Sequence, residues 1–255
     1  MSEILKDQVA IITGAGRGLG KAFALRFAGE GAKLLLPDIS LERAEAVAKE
    51  IRKMGGEAVA METDISDEQA VKMMARKVVE LYGRADILLN NAAMFYGVKR
   101  QSWETLTVAQ WDKVYDVNVR GTWLCHREIA PIMIKQKKGK IINISSAIIN
   151  SPGGHLALHY ATSKAAVKTM TQLLARALGP HGICVNAIAP GYTHTEAALS
   201  MGDAEVSFER AVAGQCIRRR EEPEDLVGAA VFLASRDSDF ITGQYLIVDG
   251  GNWLR

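Results

Sequence analysis

Residues Val9–Asp38 read VAIITGAGRGLGKAFALRFAGEGAKLLLPD. Val9 to Thr13 is a short, β-branched apolar run, the pattern of a buried strand. It enters Gly14-Ala15-Gly16-Arg17-Gly18-Leu19-Gly20, and an amphipathic helix follows through Ala22, Phe23, Leu25 and Phe27 to Gly29-Glu30-Gly31. Lys33 to Leu36 is a second apolar strand, closed by Pro37-Asp38. Strand, glycine-rich turn, helix and strand in this order are what a dinucleotide-binding βαβ unit requires. Glycines let backbone N–H groups approach a pyrophosphate, and the helix N-terminus adds a favourable dipole. The spacing, Thr13-Gly14-x-x-x-Gly18-x-Gly20, departs from Gly-x-Gly-x-x-Gly. Alone it would equally suit a tight turn; its place between strand and helix gives it weight.

Asp38 stands at the end of the second strand, where an acid hydrogen-bonds the adenosine ribose. A carboxylate there repels a 2′-phosphate, which favours NAD over NADP. Arg17 argues the other way, because a basic side chain in the turn could pair with that phosphate. Asp38 ranks higher, since it would touch the ribose directly while Arg17 can point into solvent.

Downstream, Leu41–Met54 reads as a helix, Glu57–Met61 as a strand, and Ser66 with Gln69 as a capping box for a helix ending at Tyr82-Gly83. Asp86–Leu89 is a fourth strand, running into Asn90-Asn91-Ala92-Ala93. Thr107 with Gln110 is a second capping box, opening a long helix through Trp111, Val114, Val117 and Asn118. Ile141–Ile144 and Gly182–Ala187 are strands, Glu224–Ser235 a last helix and Tyr245–Val248 a last strand. Residues 192–220 form a lid region, with Ser200–Arg220 read as a mobile lid or short helices. The alternation predicts one α/β domain over residues 1–255, a doubly wound parallel sheet of about seven strands with helices on both faces.

At 255 residues, 48% hydrophobic and a formal charge of +2, the chain fits a soluble globular domain with no general attraction for nucleic acid or membrane. Arg218, Arg219 and Arg220 cluster, but Glu221, Glu222, Glu224 and Asp225 follow at once, which reads as a self-neutralising turn. The cysteines, Cys125, Cys184 and Cys216, are scattered without a Cys-x-x-Cys pair, as expected of buried fillers in a reducing compartment. No metal-ligand spacing is present. MSEILKDQ lacks the features of a signal peptide, and no uncharged apolar run reaches membrane-spanning length. A cytoplasmic protein is expected.

The chemistry sits in Asn143–Lys164, NISSAIINSPGGHLALHYATSK. An apolar strand delivers Ser145 and Ser146 to its end, Pro152-Gly153-Gly154 turns the chain, and a helix then carries Tyr160 and Lys164. At i and i+4 these two share one helix face. Reducing a ketone builds negative charge on its oxygen, which must receive a proton. A phenol with a pKa near 10 exchanges protons poorly at neutral pH. Bringing it to about 7–8 takes roughly 3–4 kcal/mol, which one ammonium about 4 Å away supplies at an effective dielectric near 20. Lys164 is therefore expected to acidify Tyr160, and a serine hydroxyl to stabilise the oxyanion. Alone, Tyr160 would be a half-buried helix aromatic and Lys164 a surface lysine. Asn118, amid Val114, Val117 and Val119, is harder to dismiss, because a buried amide must be satisfied.

Taken together, TGAGRGLG at Thr13–Gly20, Asp64 in TDIS, NNAA at Asn90–Ala93, Asn118, Ser146, YATSK at Tyr160–Lys164, PGYTHT at Pro190–Thr195 and VDGG at Val248–Gly251 resemble the short-chain dehydrogenase/reductase family over almost the whole chain. The resemblance implies a Rossmann-like fold and an NAD(P)-dependent oxidoreductase. It makes Tyr160 the acid/base, Lys164 its partner, Ser146 the holder of the substrate oxygen and Asn118 part of a proton relay. Cofactor contacts would come from Gly14, Arg17, Gly18, Leu19, Gly20, Asp38, Asp64, Ile65, Asn91, Ala92, Tyr160, Lys164, Pro190, Gly191, Thr193 and Thr195, with Asp64 at the adenine and Thr193 at the nicotinamide carboxamide. Ala93 replaces the family's usual glycine, and Ser146 lies one residue farther from Tyr160 than is common, which keeps Ser145 as a rival.

Substrate contacts are expected from Ser146, Tyr160, Tyr96, His155 and Tyr192, within an apolar wall that includes Met94, Phe95 and Ile148–Leu156. No basic cluster is evident there, which suits a medium-sized, partly hydrophobic secondary alcohol or ketone. Family members assemble through helices corresponding to those near Asp112 and Thr162, and the apolar Trp253-Leu254 end fits an interface, so a homotetramer is expected. The competing expectations are an NADPH-dependent 3-oxoacyl-carrier-protein reductase and, in another class, a dinucleotide-binding regulator without turnover, for which a proton relay would have no use.

Overall fold

The computed structural model describes residues 3–254. In chain order the elements are β1 (Val9–Ile12), α1 (Gly18–Gly29), β2 (Lys33–Asp38), α2 (Leu41–Lys53), β3 (Glu57–Glu62), α3 (Glu68–Tyr82), β4 (Ile87–Asn90), α4 (Val108–Tyr115), α5 (Thr122–Gln136), β5 (Gly139–Ile144), α6 (Leu158–Leu178), β6 (Ile183–Pro190), α7 (Glu196–Leu199), α8 (Ala204–Gly214), α9 (Glu224–Ala234) and β7 (Tyr245–Val248). All pairings are parallel, in the order β3-β2-β1-β4-β5-β6-β7. The order reverses between β1 and β4, the crevice where open α/β sheets bind ligands.

Alternation along each strand divides the core. Ala10, Ile12, Leu34, Leu36, Ile87, Leu89, Ile142 and Ile188 pack against α1, α2 and α9. Val9, Ile11, Leu35, Leu88, Ile141 and Val185 pack against α3, α5 and the end of α6. Each strand is thus apolar on both faces, as a parallel sheet between two helical layers demands. Each fully buried aliphatic side chain contributes about 1.5–3 kcal/mol.

The predicted boundaries shift where backbone bonding overrides residue type. β2 continues through Pro37, whose carbonyl accepts from Gly14 N at 2.8 Å. β6 runs on to Pro190 because Ala189 and Pro190 pair with Ile247 and Val248. The Ser66 capping box does not form: Ser66 hydrogen-bonds Asp64, and Asp67 caps α3 by accepting from Gln69 N at 2.8 Å. The Thr107–Gln110 box does form. The long helix beyond it is interrupted by a π-helical turn over Asp116–Gly121, centred on Asn118. Cys125 is buried, whereas Cys184 is half-buried and Cys216 exposed, so only the first is a core filler.

Candidate active site

The glycine-rich turn closes over β1 with little room to spare. Gly14 has φ +65° and a Cβ there would lie 2.8 Å from Ala92 Cα; one at Gly20 would lie 2.0 Å from Gly14 O. A side chain at either position would therefore displace backbone. Asn91 fixes the turn from β4, donating through Nδ2 to Thr13 O (3.0 Å) and Gly14 O (3.1 Å). Arg17 is the N-cap of α1 and no side chain caps that end, so its first N–H groups and dipole remain available to an anion.

These elements open on a cavity of about 840 Å³. Its lining includes every cofactor-contact residue named from the sequence: Gly14, Arg17, Gly18, Leu19, Gly20, Asp38, Asp64, Ile65, Asn91, Ala92, Tyr160, Lys164, Pro190, Gly191, Thr193 and Thr195. A turn that tolerates no side chain, uncapped N–H donors and a carboxylate at the rim fit a nicotinamide dinucleotide. Asp38 is buried with both oxygens engaged: Oδ2 accepts from Gly16 N at 2.9 Å, while Oδ1 accepts from Ser40 N at 2.9 Å and Arg43 Nη2 at 3.1 Å. Arg17 does not run free into solvent; its guanidinium lies 4.8 Å from the Tyr96 ring centroid.

Ser146, Tyr160 and Lys164 line the same cavity. The two serines divide their tasks. Ser145 is buried and donates to Lys164 O at 2.8 Å, bracing α6. The Ser146 hydroxyl accepts from Ile148 N at 3.2 Å and lies beside the Tyr160 phenol. Tyr160 packs against Phe95, with ring centroids 5.2 Å apart. Lys164 Nζ lies 5.7 Å from the Tyr160 centroid and donates to Ile144 O at 2.8 Å.

The electrostatics correct the expectation that Lys164 alone acidifies the phenol. Burial pushes Tyr160 up, and the Ser146 hydrogen bond opposes this only in part. Burial also pushes Lys164 down to about 8. Among the described residues no carboxylate forms an ion pair with Lys164. A buried ammonium held only by a carbonyl is poised to exchange protons.

Asn118 is buried and not part of the cavity lining. Its Oδ1 accepts from Met94 N at 2.7 Å, and its Nδ2 donates to Ser163 Oγ at 3.0 Å; Ser163 Oγ in turn donates to Tyr160 O at 2.7 Å. The amide thus works on the Tyr160 backbone and the loop after β4, with no side-chain bond to Lys164. His155 turns back to Pro152 O (2.6 Å), exposed and outside the lining, whereas Tyr96 and Tyr192 line the cavity. Arg100, Lys113 and Arg210 line it too, so basic side chains reach the cavity although no basic cluster is evident in the sequence of this wall. They come from a loop, α4 and α8, so no run of basic residues signals them.

Comparison with known proteins agrees with this geometry. A family model described as enoyl-(acyl carrier protein) reductase matches residues 14–252. Galactitol 2-dehydrogenase of Agrobacterium fabrum is 38% identical over 98% of this chain and 99% of its own length. The chain belongs to the short-chain dehydrogenase/reductase family. Another member, the 3-oxoacyl-[acyl-carrier-protein] reductase FabG of Thermotoga maritima, is 37% identical over 97% of this chain and 98% of its own. A solved chain assigned as an NAD(P)-dependent gluconate 5-dehydrogenase from Beutenbergia cavernae, with NADP bound at low occupancy, superposes with a TM-score of 0.90 at 33% identity, covering 98% of each chain. This short-chain dehydrogenase/reductase is an oxidoreductase acting on CH–OH and C=O groups. No helix among the described residues is long and apolar enough to cross a membrane.

Proposed function

We propose that the enzyme interconverts a secondary alcohol and its ketone with NAD(H), using Tyr160 as the acid/base. Asp38 carries the cofactor reading: its buried carboxylate, tied to the glycine-rich turn through Gly16 N, borders the cavity where a ribose 2′-substituent would lie. A 2′-phosphate brought there meets negative charge that Arg43 only partly offsets.

When bound, the nicotinamide supplies or accepts the hydride. The chain's own residues manage the proton and the orientation. The Ser146 hydroxyl holds the substrate oxygen, and the Tyr160 phenol transfers the proton at that oxygen. Lys164 presents its ammonium beneath the phenol from α6, while Asn118, through Ser163, keeps the Tyr160 turn in place. Met94, Phe95, Val98, Leu156 and Tyr192 exclude water around the carbon centre.

Kinetics with the two cofactors test the assignment. Wild-type kcat/KM is expected to favour NAD over NADP by at least about tenfold, and Asp38→Asn to lower that ratio by about tenfold, a loss of ~1.4 kcal/mol of discrimination. A wild type that prefers NADP overturns it. The second reading, NADPH-dependent reduction of a 3-oxoacyl-carrier protein, draws on Arg100, Lys113 and Arg210 at the substrate end, which suit an anionic or phosphate-bearing substrate.

The same reading includes a homotetramer. Trp123 and Leu173 are exposed on α5 and α6, and Phe240 and Leu246 flank the β7 edge. Light scattering is expected to give four chain masses, and a single symmetric peak at one chain mass refutes the assembly.

A further inference from the structure

Glu221 closes the segment that leaves the sheet after β6, and its side chain returns to where that segment began. Oε1 accepts from the Thr193 hydroxyl at 2.5 Å and Oε2 from Gly191 N at 3.1 Å. The backbones form an isolated parallel bridge at Thr193 and Glu221, and His194 N donates to Glu221 O at 2.7 Å. The approach is close enough that a Cβ on Gly191 would lie 2.7 Å from Oε2. Glu221 is 4% exposed, and no ion pair among the described residues includes it. Thr193 and Gly191 line the cavity, and Glu221 does not.

A buried carboxylate is an expensive way to tie two strands together; a neutral side chain would do so at lower cost. What the carboxylate uniquely offers is that it only accepts hydrogen bonds. The single Thr193 hydroxyl proton is committed to it, so Thr193 Oγ1 turns lone pairs toward the cavity. That polarity matches the –NH2 of a carboxamide.

We propose that Glu221 is a positioning residue for the nicotinamide carboxamide, holding Thr193 as an acceptor and latching both ends of the lid, so that its ionisation governs cofactor binding. The inference rests on the reading of Thr193 as the carboxamide contact. The surroundings oppose ionisation. Burial raises Glu221 to about 7, against the hydrogen bonds from Thr193 and Gly191 and with smaller help from Asp249, just after β7, and Asp225, in the first turn of α9. Arg219 is committed to Asp225 (2.5 Å), and His194 to Glu222 (3.1 Å). The carboxylate therefore prevails above about pH 7, and the acid form below it loses the acceptor-only property.

Fluorescence titration with NADH from pH 6 to 9 tests this, with adenosine diphosphate ribose, which lacks the nicotinamide, as the paired probe. Wild-type Kd for NADH is expected to rise about tenfold from pH 8 to pH 6. Glu221→Gln should bind NADH about tenfold more weakly at pH 8, without the further tenfold weakening toward pH 6, and leave adenosine diphosphate ribose unchanged. Thr193→Val, which deletes the hydroxyl, should show the same pattern, and the double variant should lose no more than either single one. Equal weakening for both probes, a Glu221→Gln variant that retains the wild-type pH profile, or wild-type affinity at pH 8 overturns the latch alone. A wild type that binds no NADH at any pH overturns the latch and the functional reading together.

Discussion

Tyr160→Phe is expected to bind NADH within about twofold of wild type and to lose about 10³-fold in kcat for both ketone reduction and alcohol oxidation, within the range that a positioned acid/base contributes. The variant deletes one oxygen. The ring keeps its place beside Phe95 and the Lys164–Ile144 hydrogen bond is retained, while the Ser146 hydroxyl loses its phenol partner and keeps its bond from Ile148 N. Steady-state turnover and a binding titration on the same preparation separate the two effects. Turnover within tenfold of wild type would remove the phenol from the reaction. A parallel loss of NADH binding would show instead that the site had reorganised.

The second large effect separates activity from stability. Lys164→Met is expected to lower kcat at least about 10²-fold, because Lys164 Nζ lies 5.7 Å from the Tyr160 ring centroid while Lys168, one turn on, sits over Tyr245 instead. It is also expected to raise the melting temperature at pH 7. The wild-type ammonium is buried against a carbonyl with its pKa pushed from 10.5 down to about 8. Below about pH 8 the lysine is charged in both the folded and unfolded chains, and folding bears the whole desolvation cost, on the order of 3 kcal/mol. Between about pH 8 and 10.5 the folded chain sheds its proton before the unfolded one does, and the penalty fades as pH rises. The stability advantage of Lys164→Met should therefore be largest below pH 8 and shrink across that window. Thermal denaturation from pH 6.5 to 10 measures it. A variant less stable than wild type at pH 7 would mean that the Ile144 hydrogen bond outweighs the buried charge.

Most of the architecture is legible in the sequence because parallel strands buried on both faces read as continuous apolar runs, and each helix between them is punctuated by glycine, proline or a capping residue. Candidate site residues that line the cavity are legible because they sit at fixed offsets within single elements, as Tyr160 and Lys164 do on α6. What stayed hidden depends on distant segments meeting. Pro37 and Pro190 look like strand terminators, yet lie at rungs where a carbonyl is needed and an N–H is not. The π-turn at Asn118 follows from the amide reaching Met94 and Ser163, neither of which is near it in sequence. Glu221 looked like one acid in a charged turn, because nothing local shows that its carboxylate folds back onto Thr193. The basic residues of the cavity wall, Arg100, Lys113 and Arg210, are hidden in the sequence for the same reason. The acidity of Tyr160 is not legible because charge spacing can be read from a sequence, whereas desolvation depends on everything packed around the group.

The location of the wall has a practical corollary. The strand ends that border the cavity belong to the hydrogen-bonded sheet, while Ala204–Gly214, which brings Ser207, Arg210 and Ala211 to the cavity, is an excursion fastened by Arg100 to Asp203 (2.6 Å) and Ser207 (2.7 Å), by Phe208 against Tyr192 and by the Arg220–Glu205 ion pair. A protein engineer can therefore graft a different helix between residues 203 and 215 and alter what is recognised without retuning the redox partner. Arg100 is the residue to carry along with the graft.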